Sequence, residues 1–272
     1  MPSLADHPSS TTTKLLLIGD SGSGKTGSLA SLVKAGYKLR ILDYDNGLDI
    51  LKNTILAECP QFVNNIIYEP LIDDYGFSGA LVIPKTATAF AKGMRLLDNW
   101  PTLGGVNTWD HTSVLVIDSL STLSYAAFNH VMAMNGRLGQ QPHIDDWGRA
   151  QGALENMLAM LTGPQTKCNL IIMAHIANIE DASGISKGYP RSLGKSLSPR
   201  IGGYFNTVLL AKQVGSGAAA KRIIRTTIDG NIGVKHSVAS RLESELPVAT
   251  ALATFFEAAR KAPPPTTTSN TK

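Results

Sequence analysis

The stretch Gly19-Asp20-Ser21-Gly22-Ser23-Gly24-Lys25-Thr26 decides how the chain is read. It satisfies G-x-x-x-x-G-K-S/T, the phosphate-binding loop pattern, at every fixed position. The spacing has a physical reason. Gly19, Gly22 and Gly24 tolerate positive φ, so successive backbone N–H groups can turn onto phosphate oxygens. A helix N-terminus behind them adds partial positive charge. The flanks fit as well. Lys14-Leu15-Leu16-Leu17-Ile18 reads as a buried strand, and residues 26–35 read as a helix. Residues Gly19, Asp20, Ser21, Gly22, Ser23, Gly24, Lys25, Thr26 and Gly27 are therefore expected to cradle a nucleotide. Lys25 reaches its outer phosphates, and the Thr26 hydroxyl is placed for Mg²⁺.

Ser113-Val114-Leu115-Val116-Ile117-Asp118-Ser119 is the second anchor. Its apolar run predicts a strand buried on both faces, as parallel strands are. Asp118 then falls at the strand's C-terminal end, where ligands bind in open α/β sheets. That makes it the second Mg²⁺ residue, beside Thr26.

Composition bounds the rest. An apolar content of 43% over 272 residues supplies a sizeable core, in one large domain or two small ones. No apolar run approaches membrane-spanning length, and residues 1–13 lack the apolar segment of a secretory signal. Two cysteines, Cys59 and Cys168, form neither a disulfide framework nor a metal cluster, so a reducing, cytoplasmic setting is expected. The net charge of +4 is unevenly spread. Residues 43–74 hold seven acids and one base; residues 183–235 hold nine bases and one acid. A basic C-terminal half points to a polyanionic partner, with an ordinary solvated face as the plain alternative.

In chain order, residues 1–13 read as a disordered lead, 14–260 as the ATPase domain, and the Pro/Thr-rich 261–272 as a disordered tail. Leu39-Arg40-Ile41-Leu42 is a strand ending in Asp43-Tyr44-Asp45-Asn46-Gly47, and residues 48–57 a short helix. Residues 63–68 are a strand candidate and 73–79 a loop. Pro84 suits the first turn of a helix running to Asn99. Helices follow over 120–134 and from a cap at Asp145 or Asp146 to Leu161. Asn169-Leu170-Ile171-Ile172-Met173-Ala174 is another buried strand, ending in His175. Residues 178–203 read as a long basic, glycine-rich loop, a length usually reserved for function. Late strands are expected over 207–212 and 222–228, with a turn at Asp229-Gly230, and a helix over 250–259. No internal repeat is present.

The residue after Asp118 is Ser119, so a water-activating base must come from elsewhere. Here the sequence resembles the RecA family. Ile41-Leu42-Asp43-Tyr44-Asp45 resembles its strand that ends in an acid, skips a residue and reaches the catalytic glutamate. Val114 to Ser119 resembles its metal-aspartate strand with the trailing serine. Ile171-Ile172-Met173-Ala174-His175 resembles the strand ending in a γ-phosphate sensor, which a mobile DNA-binding loop follows. With Arg225-Thr226-Thr227-Ile228-Asp229-Gly230, the whole is most similar to phage-type RecA relatives of single-strand annealing and recombination, over roughly residues 14–245.

The resemblance implies an α/β, RecA-like P-loop NTPase core with a mostly parallel sheet flanked by helices. It implies ATP and Mg²⁺ as cofactors, Lys25, Asp45, Asp118 and His175 as catalytic residues, and Thr26 with Asp118 on the metal. Asp45 stands where RecA has Glu, one methylene shorter, which slows hydrolysis or changes how water is reached. Asp45 also fits an Asx turn in Asp-Asn-Gly, and His175 a hydrogen-bonded histidine at the sheet end. The implied partner is single-stranded DNA, bound through Lys187, Tyr189, Arg191, Lys195 and Arg200, with Tyr204 and Phe205 either further stacking platforms or core. A ring or filament of identical chains is expected, with Lys195, Arg200 or Lys212 acting on a neighbour's ATP. A single-strand-binding protein is a further expected partner. If the chain is phage-encoded, the setting is the host cytoplasm. The alternatives are an ATP-switched annealing module with negligible turnover, a helicase or packaging motor, and a small-molecule kinase.

Overall fold

The computed structural model describes residues 12–180, 183–238 and 242–260. The expected disordered segments lie outside these, except for Thr12 and Thr13; Thr13 is buried, and its N–H donates to Asn169 Oδ1 at 2.9 Å. The strands are β1 (Lys14–Ile18), β2 (Lys38–Asp43), β3 (Ile66–Pro70), β4 (Tyr75–Ser78), β5 (Leu81–Pro84), β6 (Ser113–Asp118), β7 (Asn169–Ala174), β8 (Ile176–Glu180), β9 (Ser186–Pro190), β10 (Thr207–Val214), β11 (Lys221–Arg225) and β12 (Glu245–Pro247). The helices are α1 (Lys25–Ser28), α2 (Ala30–Lys34), α3 (Asp49–Glu58), α4 (Ala89–Asp98), α5 (Leu120–Met134), α6 (Ile144–Thr162), α7 (Gly194–Ile201) and α8 (Ala251–Arg260).

Eight strands form the central sheet in the order β12-β11-β10-β1-β7-β6-β2-β3. The six from β10 to β3 are parallel; β11 and β12 run antiparallel at one edge. One strand, β7, separates the phosphate-loop strand β1 from the Asp118 strand β6, giving the RecA-like, mostly parallel core expected from the sequence.

The strand sequences explain why both faces are covered. Successive side chains leave a strand on opposite faces. Leu16, Ile18, Leu115, Ile117, Leu170 and Ile172 pack with α5 and α6 on one face. Leu15, Leu17, Val114, Val116, Ile171 and Met173 pack with α2, α3 and α8 on the other. These twelve residues are at most 1% exposed, so an apolar run without alternation is what a doubly covered strand requires. Register then aligns the C-terminal ends: Asp43 lies opposite Asp118, and Ile18 opposite Ala174. The site grows from this common edge.

Several local expectations are corrected. Residues 73–79 are not a plain loop, because Tyr75–Ser78 and Leu81–Pro84 pair as an antiparallel hairpin. Pro84 closes that hairpin instead of opening a helix. Helix α4 starts at Ala89, with Asp73 Oδ1 accepting from the N–H groups of Thr88 and Ala89 at 2.9 Å each. The helix expected over 26–35 is broken at Leu29. His143 is the N-cap of α6; Asp146 sits at the third helical position and accepts from the His143 N–H at 2.8 Å. The described part of 178–203 is a second hairpin, β8–β9, followed by α7. Strand β12 carried no separate signal.

Candidate nucleotide site

Loop 19–24 leaves β1 with its first N–H bound to the Ala174 carbonyl of β7 at 3.1 Å. Gly24 has φ of 98°, a left-handed conformation that glycine adopts without strain. Gly19 is required for a different reason: a Cβ there would meet the Ala211 carbonyl oxygen at 2.3 Å. Lys25 folds back so that its ammonium donates to the carbonyls of Gly19 at 2.7 Å and Asp20 at 2.9 Å. Burial pushes its pKa down, while Asp118, Asp45 and Asp20 hold it up.

Thr26 Oγ1 donates to Asp118 Oδ2 at 2.8 Å, so the two residues expected at the metal are brought together. Burial raises the Asp118 pKa to about 6, with Asp45 and Asp43 adding repulsion; the Thr26 hydrogen bond and Lys25 oppose the shift. A hydroxyl and a crowded carboxylate make a hard-oxygen pair suited to Mg²⁺, which would relieve the stacked negative charge. The donor set fits that ion.

Asp45 and His175 also meet. Asp45 Oδ2 lies 3.5 Å from His175 Nε2, and Ser119 Oγ donates to Asp45 Oδ1 at 3.0 Å. Burial pushes the Asp45 pKa up, but hydrogen bonds from His175, Thr122 and Ser119 outweigh it, so the carboxyl is held below its ordinary value. Asp45 is thus more than a turn-capping residue. His175 is tied on its other side too. Its N–H donates to Ser121 Oγ at 3.0 Å, and its carbonyl accepts from the Arg191 N–H at 2.7 Å. Ser121 Oγ in turn donates to the Arg191 carbonyl at 3.1 Å.

Lys25, Thr26, Asp45, Asp118 and His175 all line one cavity of about 640 Å³, with Tyr44, Ile50, Thr122 and Arg222. Sequence reading missed Ser121, Thr122 and Arg222. The two hydroxyls follow Asp118-Ser119 at the start of α5, a position that could have been noticed. Arg222 had no local signal, since it comes from β11, two strands from β1 in the sheet and about 200 residues away in sequence.

The five residues assigned to DNA do not form one patch around the nucleotide. Lys187 and Tyr189 lie on β9 and line a neighbouring concavity of about 380 Å³ with Lys235, floored by Leu16, Ile18 and Val208. Arg191 and Lys195 are exposed beyond it. Arg200 pairs with Glu155 of α6 at 3.0 Å, which neutralises its charge. Phe205 is completely buried and belongs to the core. Of the three bases considered for a neighbour's site, Arg200 and Lys212 already have carboxylate partners, Glu155 and Asp229.

A phosphate loop, a hydroxyl–aspartate pair and a second carboxylate at the end of a RecA-like sheet define the class as a P-loop nucleoside triphosphatase. Residues 11–232 match the AAA domain family, and the chain belongs to it. No curated protein sequence matches. Among solved structures, the flagellar accessory protein FlaH from Methanocaldococcus jannaschii is 11% identical, covering 86% of this chain and 83% of its own, with a TM-score of 0.42. A KaiC-like protein from Pyrococcus horikoshii is 14% identical over 83% and 82% of the two chains, with a TM-score of 0.42. The RadB recombinase is 14% identical over 78% and 80%, with a TM-score of 0.41. Among the described residues, no helix is long and apolar enough to cross a membrane.

Proposed function

We propose that the protein is an ATP- and Mg²⁺-dependent ATPase that binds single-stranded DNA in recombination or annealing, assembled as a ring or filament of identical chains in the cytoplasm. The observation that carries this reading is the continuity from Asp45 through His175 to Ser121 and Arg191, which joins the triphosphate cavity to the base of the β8–β9 hairpin and to the basic residues that follow it. A change at the γ-phosphate felt by His175 would reach Arg191, next to the strand that carries Lys187 and Tyr189, through one peptide hydrogen bond and one hydroxyl.

In hydrolysis, Lys25 neutralises the outer phosphates, and Asp45 orients a water and accepts its proton as the oxygen attacks the γ-phosphorus. The bond to the β-phosphate oxygen breaks and ADP leaves. Mg²⁺, held by Thr26 and Asp118, would supply charge neutralisation at the phosphates. On the DNA side, Lys187, Arg191 and Lys195 take phosphates and Tyr189 a base. The test is ATP hydrolysis with and without an oligonucleotide at two salt concentrations, beside a fluorescence titration of the same oligonucleotide. Stimulation with salt-sensitive binding is expected. Neutralising Lys187 and Arg191 together should weaken binding and flatten its salt slope by about 1.4. An unchanged affinity and slope would place DNA elsewhere.

A second reading has a specific observation behind it. Asp45 already accepts hydrogen bonds from Ser119 and Thr122 beside His175 and is held below its ordinary pKa, which weakens it as a base. An annealing module switched by ATP without turnover would show binding but no stimulated phosphate release. Strand unwinding would move the reading to a helicase, and phosphate transfer to an acceptor to a kinase.

A further inference from the structure

We propose that Arg222 is a phosphate-binding residue of the nucleotide site, delivered by the same chain from the antiparallel edge of the sheet. The proposal rests on the nucleotide reading above and adds a residue to it.

The placement follows from topology. β10 lies beside β1, and β11 folds back on β10 with Arg222 opposite Gln213. This brings a side chain 200 residues distant onto the phosphate loop, where Arg222 Nε donates to the Gly22 carbonyl at 2.8 Å. The contact is close along the stem as well. A Cβ at Gly24 would meet Arg222 Cδ at 3.1 Å and Val248 Cγ2 at 3.2 Å. Val248 is itself fixed, its N–H donating to the Arg222 carbonyl at 3.2 Å. Arg222 and Val248 therefore form a lid edge over the glycines of the loop.

Charge gives the chemistry. Arg222 and Lys25 are the cations that line the 640 Å³ cavity. Two other basic side chains of this edge have carboxylate partners: Arg225 pairs with Glu245, and Lys212 with Asp229. Among the described residues, no carboxylate lies within ion-pair distance of Arg222. A guanidinium carries five N–H donors in a planar fork. The Gly22 carbonyl takes the Nε donor and fixes the orientation, and the terminal nitrogens remain for an anion. Planar forks match phosphate oxygens two at a time, whereas an ammonium acts as a point charge. A nucleoside triphosphate is the polyanion that this cavity, with Lys25 and the loop amides, is shaped to hold.

A purely structural role would be to prop the loop through Gly22. The two are separated by titrating ATP, ADP and AMP with Mg²⁺ into wild type, Arg222→Met and Arg222→Lys, with a thermal melt of each. Phosphate binding predicts that Arg222→Met weakens ATP by about tenfold or more, the loss shrinking from ATP to AMP. Arg222→Lys should recover part of it, and melting should change little. An unchanged ATP affinity in Arg222→Met would overturn the proposal. So would an equal loss for all three nucleotides, which is the mark of a disturbed loop. If Arg222→Met does not fold, Arg222→Lys decides alone: an unchanged preference for ATP over AMP would count against a fork-shaped contact. The outcomes stay distinct from those of the parent reading. A wild type that binds ATP but ignores DNA loses the DNA assignment while the Arg222 comparison stands. A wild type that binds no ATP sinks both.

Discussion

Lys25 is buried, and among the described residues its hydrogen bonds go to the carbonyls of Gly19 and Asp20 in its own loop. Such an ammonium is desolvated without a paired acid, and its depressed pKa reflects that. It is a poor contributor to stability and a strong one to anion binding. Replacing Lys25 with Ala should therefore lower ATP affinity by about a hundredfold or more while melting shifts by only a few degrees. A titration of ATP beside a thermal melt checks both halves; retained affinity would remove the phosphate-loop assignment. At this scale much was legible. Lys25 and Thr26 follow from motif spacing, because backbone geometry at a phosphate tolerates few sequences, and Asp118 from its place at the end of an apolar strand. Asp45 and His175 were legible only as ends of strands. That they face each other depends on the register of β2, β6 and β7, which no local pattern encodes.

Elements show where composition misleads. Strands β1, β6 and β7 announce themselves as apolar runs because both their faces are covered. The β8–β9 hairpin does not, since both strands are only five residues long and β9 is largely polar with a glycine at its centre. Its first strand also begins one residue after β7 ends, so no turn signal separates them. Pro84 was compatible with a helix start and with a hairpin end; the cross-strand pairing to Tyr75 chose the second. Helix α6 offers a test of element stability. Asp146 is buried and accepts from the His143 N–H at 2.8 Å, from Asn135 Nδ2 at 2.7 Å and from the Arg137 guanidinium. Arg137 first, then the cap and Asn135, hold its carboxyl well below the usual range against the opposing effect of burial. A carboxyl depressed in the folded state stabilises above its unfolded value, and that stability is lost as pH falls through the folded one. Asp146→Asn should therefore lower the melting temperature by several degrees at pH 7. The gap between wild type and variant should narrow below about pH 4, near an aspartate's ordinary value of 3.8. Melts across pH 3–8 check it; a gap constant with pH would mean that the charge is immaterial.

At the scale of the molecule, the parallel order of the sheet places two concavities on adjacent sides of one edge. Asp45, Asp118 and the phosphate loop line the 640 Å³ cavity, and the hairpin that follows β7 carries Lys187 and Tyr189 to the next concavity. The reach of Arg222 across the sheet edge was invisible in sequence for the same reason that makes it informative: only a closed tertiary structure brings residues 22 and 222 together. His175 stands between the two sides, 3.5 Å from Asp45 by its ring and 2.7 Å from the Arg191 N–H by its carbonyl. If ATP and DNA are linked, the coupling is reciprocal, and each raises the affinity of the other by the same factor. His175→Ala deletes the ring but leaves the main-chain bond to Arg191, so the hairpin stays in place and the link to Asp45 is cut. Oligonucleotide affinity in wild type should rise severalfold on adding ATP. In His175→Ala it should be the same with or without ATP, while ATP itself binds within about threefold of wild type, a difference of about 0.7 kcal/mol. An ATP effect that survives in His175→Ala would route the coupling through the phosphate loop and β11 instead, with Arg222 the first residue to examine.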